Sequence, residues 1–209
     1  MIIEHSEYKI LSPSTMLNPV PVVLVSCADP DNPENRNMIT LAWAGTVNSE
    51  PPMVSISVRK ERYSHSLIAA SGEFVINLVD QKMCRAVDFC GVRSGRDVDK
   101  AAETGLEYMR AETMDTAPAV SGAPVSLSCK VRQTLELGSH DMFIGEVTAV
   151  MVRGDLLDDA GTLHLEKAGL VAYNHGLYQK LGEVMGFFGW SVARKEIYEK
   201  RMSAFQRKA

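Results

Sequence analysis

Residues 51–64 read PPMVSISVRKERYS, and this stretch combines a strand, two arginines and a helix start. Apolar and hydroxyl-bearing side chains alternate over residues 53–58, which predicts a strand with one buried face. Arg59 and Arg62 follow it, and Ser64 can open a helix because its hydroxyl can cap free backbone amides. Guanidinium groups beside a helix N-terminus are typical of a phosphate site. Two solvated arginines and an ordinary helix cap explain the same residues without any ligand.

Four further segments show the pattern of buried or half-buried strands. They are residues 22–27, 73–79, 125–131 and 142–152. Gly145 interrupts the last of them, which predicts a bulge or a barrel corner at that position. In the segment 125–131, the side chains of Ser126 and Ser128 are expected to face outward because side chains alternate along a strand.

Helices are shorter and fewer than strands. The sequence predicts a helix over residues 64–71 that Gly72 closes and a helix over 81–89 that Asp80 caps and Gly91 follows. A short helix is predicted from Asp97 or Asp99 to Gly105, and an amphipathic helix is predicted for the tail at 191–208. Many strands with helices inserted between them indicate a mainly β fold with helical insertions, built as an antiparallel barrel. We expect residues 1–209 to form a single domain that ends in the amphipathic helix.

Composition and charge argue against several classes of protein. The 209 residues include 22 Lys and Arg against 26 Asp and Glu, a net charge of −4, so nucleic-acid and anionic-membrane binding have no electrostatic support. The uncharged stretch 10–28 contains three prolines and is not expected to span a membrane, and we expect no secretory signal. The four cysteines lack zinc-type spacing, so we expect no metal. Because no secretory signal is expected, we expect buried, reduced thiols and a cytoplasmic location.

Two loops and a histidine are candidates for a ligand site. The polar loop 29–40 runs into LAWAG, where small residues around Trp43 would let the backbone approach a flat ligand, although a surface hairpin tip gives the same composition. Residues 94–100, SGRDVDK, would add donors for a phosphate or a ring edge, or form an ordinary charged turn. His140 is the one evident candidate for a proton donor, although a lone histidine is more often structural. We expect Cys90 to be buried rather than redox-active.

These motifs, taken in order, resemble those of one family. Besides residues 51–64 and EFVINL at 73–78, they are NxxTxAWxG at 37–45, VDFCGVRSGRDVDK at 87–100, LELGSHDMFIGEV at 135–147 and GEVMGFFGWSV at 182–192. The ordered set resembles the flavin reductase-like, FMN-binding split-barrel family, and specifically its flavoredoxin-type branch. The resemblance extends over residues 15–192.

The resemblance implies a six-stranded Greek-key split barrel that forms a homodimer, with FMN bound close to the subunit interface. It also implies which residues contact the flavin. Asn37, Thr40 and Trp43 would wall the flavin, with the backbone of Met38, Ile39 and Ala42 at its polar edge; Ser57, Arg59, Arg62 and Ser64 would hold the phosphate and ribityl end; Asn77 and Leu78 would lie beside the ring; Ser94, Gly95 and Lys100 would close the site; and Tyr178 would add a late aromatic contact.

The implied function is that of an FMN-dependent oxidoreductase that moves electrons between a reduced donor and a partner protein or small acceptor. Two modes stay open, an NAD(P)H-dependent flavin reductase and a dedicated electron carrier of the flavoredoxin type. Because the sequence has no GxGxxG motif, a nicotinamide would bind transiently rather than in a Rossmann domain. The alternative is a flavin-binding or flavin-sensing protein without turnover.

Overall fold

The computed structural model describes residues 8–206, and the elements below are those found within this range. The strands are, in chain order, β1 (Val20–Pro21), β2 (Val23–Ala28), β3 (Arg36–Leu41), β4 (Ala44–Ser49), β5 (Pro52–Arg59), β6 (Glu73–Leu78), β7 (Tyr108–Met109), β8 (Ala119–Val120), β9 (Val125–Glu136), β10 (His140–Val152), β11 (Val171–Asn174) and β12 (Leu177–Lys180). The α-helices are α1 (Tyr63–Ser71), α2 (Cys84–Val92), α3 (Lys100–Thr104) and α4 (Lys195–Gln206).

The principal sheet is antiparallel and follows the strand order β3-β2-β6-β9-β10-β5-β4. Its two end strands, β3 and β4, are consecutive in the chain and are joined by Ala42 and Trp43 alone. The chain therefore makes one long strand that bends at these two residues, pairing with β2 before the bend and with β5 after it. At the bend, the backbone N–H of Ser57 donates a hydrogen bond of 2.9 Å to the Trp43 carbonyl. The sheet thus curves back on itself as a barrel.

The mainly β split barrel predicted from the sequence is confirmed, with a difference in the number of strands. The expected six strands appear as seven paired segments, because the long strand over residues 36–49 is divided at the bend and takes two partners. The other predicted strands begin within two residues of the observed ones, although β9 continues five residues past the predicted end, from 131 to Glu136. Residues 132–134 and 136 are exposed, so the end of β9 lacks the apolar alternation on which the prediction depends.

Gly145 lies at an irregularity in the barrel, as predicted. The pairing of β9 with β10 shifts register between Ile144 and Gly145. A Cβ atom on Gly145 would lie 2.6 Å from the Phe74 ring, so the absence of a side chain lets the ring pack against the strand. The glycine at this irregularity therefore allows Phe74 to pack closely inside the barrel.

Apolar side chains of the alternating strands fill the barrel, and α1 covers one of its ends. The fully buried members include Val25, Ile56, Val58, Phe74 and Phe143 from the strands and Ile68 from the helix. A second cluster lies on the outer face of β2 and β3, where α2 packs, and includes Leu24, Met38, Val87 and Cys90. Burial of both faces explains why residues 22–28 are all buried.

Ser126 and Ser128 are buried rather than exposed to solvent. They lie on the face of β9 that points away from the barrel, and the segment 111–120 covers that face with Ala111, Ala117 and Ala119. The Ser126 hydroxyl donates a hydrogen bond of 2.8 Å to Asn77 Oδ1. The prediction that both serines face away from the barrel is therefore correct. The alternation of side chains could not reveal that another segment covers this face.

Two of the predicted helix ends are confirmed by their capping residues. Gly72 ends α1 with a φ of 67°, and α1 begins at Tyr63, one residue before the predicted start. The Asp99 carboxylate caps α3 by accepting from the N–H groups of Ala101 and Ala102, and Gly105 ends that helix with a φ of 71°. The left-handed conformation at both ends favours glycine because no Cβ is present to clash.

The predicted helix at 81–89 is displaced along the chain. α2 begins at Cys84 and includes Gly91, which was expected to lie beyond its end. Asp80 Oδ1 accepts hydrogen bonds of 2.9 and 3.1 Å from the N–H groups of Lys82 and Met83, so it caps a turn that precedes the helix. A capping residue in the sequence does not show whether the helix begins directly after it or after an intervening turn.

The predicted amphipathic tail is shorter than expected. α4 begins at Lys195, and a 3-10 turn over Trp190–Val192 precedes it. Met202 of α4 is buried, whereas Val192, which lies within the predicted helix but before α4, is 87% exposed. Residues 207 and 208 of the predicted helix lie outside the described residues.

No helix within residues 8–206 is both long enough and apolar enough to cross a membrane. The four cysteine thiols, which all fall in this range, are free. Cys27, Cys90 and Cys129 are buried, and Cys84 is half-buried.

Candidate functional site

The main candidate site is a cavity of about 490 Å³ at the bend between β3 and β4. Residues 39–43 form one wall, and Ser57 and Arg59 at the end of β5 form the next. Trp43 lines the cavity and is 37% exposed. His140, the first residue of β10, also lines the cavity, since it pairs with Arg59 across the sheet.

Positive charge and free backbone donors gather at one end of this cavity. Arg59 and Arg62 both line it, and a turn links them through a hydrogen bond of 3.0 Å from Arg62 N–H to the Arg59 carbonyl. Arg62 is the N-cap of α1, and no side chain of the described residues caps that helix. Arg59 has a partly exposed partner in Glu61, 3.5 Å away, whereas Arg62 forms no salt bridge within residues 8–206. This end suits an anion because the helix dipole and the guanidinium groups attract the same charge.

A second cavity of about 250 Å³ adjoins the first and shares Ile39 and Arg62 with it. Its other walls are lined by Asn37, Glu61, Tyr63, Arg93, Ser94, Gly95 and Lys100. The shared Arg62 side chain therefore stands where the two spaces meet. Together they form a longer space with an apolar, aromatic part at the bend and a cationic part beside α1.

Lys100 is the one buried cation of this region. Its ammonium donates hydrogen bonds of 2.8 Å to the carbonyls of Met38 and Cys90, and the residue is only 4% exposed. Desolvation by burial lowers the pKa of Lys100, and the nearby Arg62 acts in the same direction. Burial also raises the pKa of the Cys90 thiol to about 11. The thiol is thus protonated at neutral pH, as the expectation of an unreactive cysteine requires.

A tyrosine pair closes the apolar part of the cavity. Tyr173 in β11 and Tyr178 in β12 pack edge to face with their ring centroids 5.7 Å apart, and both line the cavity. The Tyr178 hydroxyl donates a hydrogen bond of 3.2 Å to Asp88 Oδ1 on α2. Burial, and then the charge of Asp88, raise the pKa of Tyr178, so its hydroxyl remains a donor at neutral pH.

Comparison with known proteins places this barrel in a family. The model of the flavin reductase like domain matches residues 15–182. The chain belongs to the flavin reductase like family.

One solved structure resembles the protein along most of its length. The flavoredoxin of Desulfovibrio vulgaris (Miyazaki F) superposes with a TM-score of 0.81 at 30% sequence identity, covering 90% of this chain and 100% of that one. The recognition of the flavin reductase-like family from the sequence, and of its flavoredoxin-type branch, is thereby confirmed.

Curated relatives match over shorter segments. A high molecular weight rubredoxin of Moorella thermoacetica is 30% identical over 119 residues, which is 52% of this chain and 48% of that protein. A protein of Aeropyrum pernix is 33% identical over 115 residues, which is 54% of this chain and 43% of its own length. The chain thus spans less than half the length of both.

Most of the residues predicted for the site gather around the two cavities of this family member. The first cavity is lined by Ile39, Thr40, Ala42, Trp43, Ser57, Arg59, Arg62, His140 and Tyr178, and the second by Asn37, Ser94, Gly95 and Lys100. Whether each of them contacts a flavin stays a prediction.

Four of the predicted residues do not line either cavity. Met38 and Ser64 are fully buried, although the Met38 carbonyl binds Lys100 and the Ser64 hydroxyl accepts a hydrogen bond of 2.8 Å from Asn37. Leu78 packs against the barrel core. Asn77 is fully buried, and its Nδ2 donates to the Leu24 carbonyl while its Oδ1 accepts from Val120 N–H, both at 2.9 Å. We therefore correct the placement of Asn77 beside the ring, because its amide is occupied in holding β2, β6 and β8 together.

Several lining residues were missed by the sequence analysis. They are Asp88, Gly91 and Val92 on α2, and Tyr173 and Gly176 on the β11–β12 hairpin. Gly176 has a φ of 92° and follows Asn174 and His175, so a turn signal between two tyrosines was present in the sequence. The contact of that hairpin with α2 joins segments 90 residues apart, which no local pattern reveals.

Proposed function

We propose that this protein binds FMN and is an oxidoreductase that moves electrons between a reduced donor and a redox protein or small acceptor. The observation that carries the proposal is the meeting of an apolar cavity at the Trp43 bend with a cationic end at Arg59, Arg62 and the uncapped start of α1. A flavin mononucleotide has the same two parts, a flat aromatic ring and a dianionic phosphate.

The residues present fit both parts of FMN. The ring system needs a narrow, largely apolar space with few polar partners, and the bend offers Trp43, Ala42 and the tyrosine pair. The phosphate needs several donors in one place, and Arg62, Ser94 and the first amides of α1 surround the second cavity. Lys100 adds a buried positive charge on the same side.

When bound, FMN supplies a redox centre that takes up a hydride or single electrons and releases them again. The protein's own residues bind, orient and manage protons around it. Thr40 donates its hydroxyl hydrogen bond to the Val87 carbonyl, which fixes that side chain between β3 and α2. His140 Nδ1 lies 2.9 Å from Ser139 Oγ, and this contact orients the imidazole at the edge of the cavity.

The proposed electron partner is supported by the names of two similar proteins. The Miyazaki F protein is named a flavoredoxin, and the Moorella relative is named a high molecular weight rubredoxin. Both names favour a redox protein as one partner over a role in free-flavin supply. If NAD(P)H is the electron donor, we propose that it binds transiently.

We also propose that the protein is a homodimer. The segment 181–192 exposes the apolar side chains of Met185, Phe188 and Val192 almost completely and that of Leu181 by 61%. Exposed apolar side chains in one contiguous segment are typical of a surface that packs against another chain. A second copy of the chain would cover these side chains. Light scattering at micromolar concentration is expected to give twice the 23.0 kDa chain mass, and a monomer mass would contradict the dimer.

The proposed function is tested by the spectrum of the purified protein and by its reduction. We expect a yellow preparation that releases FMN on denaturation, or a colourless one that becomes yellow when FMN is added. Anaerobic titrations with NADH, NADPH and dithionite then identify the donor, and reoxidation by rubredoxin identifies a protein acceptor. Protein that takes up no FMN would refute the proposal, and FMN that no physiological donor reduces would favour a flavin-binding protein without turnover.

A further inference from the structure

The turn between β5 and α1 carries the two arginines at the cationic end of the site. Arg59 ends β5, and Arg62 directly precedes α1. Lys60 lies between the two arginines in the chain and lines neither of the two cavities. Connecting turns are more mobile than the elements that they join. The position of both guanidinium groups therefore depends on what holds this turn.

One carboxylate, that of Asp141 in β10, contacts both sides of the turn. Its Oδ2 lies 2.8 Å from His65 Nε2 in the first turn of α1, and its Oδ1 lies 3.3 Å from Lys60 Nζ. Lys60 precedes Arg62 in the chain and His65 follows it, and the Arg62 carbonyl accepts a backbone hydrogen bond of 3.0 Å from His65 N–H. The carboxylate is thus attached to the chain on both sides of Arg62.

Asp141 itself is held by the sheet. It pairs with Val58 on β5 and with Glu136 on β9, and it is only 6% exposed. Phe143, which is also buried and lies two residues further along β10, packs edge to face against the His65 ring with the centroids 5.3 Å apart. The carboxylate and the imidazole therefore belong to the packed end of the barrel, and the turn is attached to them.

The neighbours of Asp141 keep its carboxyl group ionised. Burial alone would raise the pKa of Asp141, but the hydrogen bond from His65 and the contact with Lys60 more than offset it and hold the pKa below its ordinary value. Because an ionised carboxylate only accepts hydrogen bonds, His65 Nε2 is the donor in this contact. Lys60 also donates a bond of 2.9 Å to the exposed Glu136. Each oxygen of Asp141 thus faces its own donor group.

We propose that Asp141 is a positioning residue for the anion end of the flavin site. The proposal rests on the proposed function, in which Arg62 and the first amides of α1 hold the FMN phosphate. Through Lys60 and His65, the carboxylate keeps the guanidinium group and the helix start aligned on the same phosphate. Asp141 lines neither cavity, so it acts through these two residues and not by contact with the ligand.

The negative charge of Asp141 makes the sign of its effect informative. If the carboxylate acted through its charge alone, its removal would strengthen the binding of a phosphate. If it acts by positioning, its removal weakens that binding instead. A residue that only stabilises the fold would change the binding of FMN and riboflavin alike, since riboflavin differs from FMN in lacking the phosphate.

The experiment measures the dissociation constants of FMN and riboflavin for the whole chain by fluorescence titration. Asp141→Asn keeps the shape of the side chain, but an amide has one oxygen and can accept from only one of the two donor groups. We expect FMN to bind about three- to tenfold more weakly, which is part of the value of one charge-assisted contact, and riboflavin binding to stay within about twofold.

Variants of His65 test the same contact should Asp141→Asn fail to fold. His65→Leu removes the donor and is expected to weaken FMN binding by a similar factor, whereas His65→Gln keeps an N–H donor and should retain most of the wild-type affinity. Asp159→Asn removes the same charge at an exposed position outside both cavities. In this control, the ratio of the two dissociation constants is expected to match that of the wild type.

The outcomes separate this inference from the proposed function. Asp141→Asn or His65→Leu protein that binds FMN at least as tightly as the wild type, or that loses affinity for FMN and riboflavin equally, would overturn the positioning role and leave FMN binding intact. Equal FMN affinities of His65→Gln and His65→Leu would overturn it as well. Wild-type protein that binds neither flavin would overturn the proposed function itself.

Discussion

The Tyr178 hydroxyl donates a hydrogen bond of 3.2 Å to Asp88 Oδ1, and this bond ties the β11–β12 hairpin to α2 across the mouth of the cavity. Burial and the Asp88 charge raise the pKa of Tyr178, so the phenol is protonated throughout the neutral range. The bond is therefore expected to hold the hairpin over the cavity equally at about pH 6 and about pH 9, below the usual tyrosine pKa.

Removal of this bond is expected to weaken FMN binding modestly. Tyr178→Phe keeps the ring, so the loss is that of one hydrogen bond, a rise in Kd of about two- to tenfold. Tyr178→Ala also removes the aromatic wall and is expected to cost more. Tyr8→Phe, at a residue 95% exposed, is the matched control and should leave Kd unchanged. Equal Kd values for wild type and Tyr178→Ala would show that the hairpin does not contact the flavin.

The phosphate contact of Arg62 is tested by comparing FMN with riboflavin, which lacks the phosphate. Arg62→Ala is expected to weaken FMN binding about ten- to hundredfold, the value of a charge-assisted contact, and to change riboflavin binding little. Arg62→Lys should recover only part of the loss, because an ammonium lacks the planar fork. Arg85→Ala, on the exposed surface of α2, serves as the control for net charge. Equal losses for both ligands would indicate damage to the start of α1 instead.

The position of Trp43 is tested by its fluorescence. Trp190 is also partly exposed, so the measurement uses a Trp190→Phe background in which Trp43 is the single tryptophan. Addition of FMN is expected to quench most of the remaining emission, since Trp43 lines the cavity at the bend. Riboflavin at saturation should quench it to the same extent. Emission that stays constant as FMN binds would remove Trp43 from the flavin site.

The sequence predicted those parts of the molecule that depend on local patterns. Alternation placed the strands and the residues that fill the barrel, and the Gly72 and Gly105 caps ended two helices as expected. The ordered motifs placed Trp43, Arg62 and Lys100 around adjoining cavities. These features succeed because each residue's environment is set by its neighbours along the chain.

Features that depend on distant segments were not predictable in the same way. Asn77 has the alternation of a strand residue, but its role follows from Val120 and Ser126, which lie more than 40 positions away. The role of Asp88 likewise depends on a distant residue, because its hydrogen-bond partner Tyr178 lies on the β11–β12 hairpin. Polar side chains in a motif thus indicate a buried network or a ligand contact alike, and only the tertiary structure distinguishes the two.

Glu73 provides a prediction about the pH dependence of stability. The residue is buried, and its carboxylate accepts hydrogen bonds from the N–H groups of Asp115, Thr116 and Ala117 at 2.9–3.2 Å. Burial alone would raise the pKa of Glu73, but these N–H groups more than offset it and hold the pKa below its ordinary value. The carboxylate therefore ties the start of β6 to the segment that covers the outer face of the barrel.

The sign of the pH effect follows from this lowered pKa. A carboxyl group that is more acidic in the folded state contributes stability above its unfolded pKa, and the contribution is lost as the pH falls through the folded value. Glu73→Gln removes the charge, so we expect it to lower the free energy of unfolding by about 1.5–3 kcal/mol at neutral pH, the range for hydrogen bonds to a charged group. The difference should shrink below about pH 4.3, the ordinary glutamate pKa, and be smallest where the wild-type carboxylate is protonated. Urea unfolding of both proteins between pH 7 and pH 3 measures it, with Glu112→Gln at an exposed position as the control. A difference that stays constant over this range would mean that the charge of Glu73 does not stabilise the fold. A stabilising effect of that charge would disappear once the carboxylate is protonated.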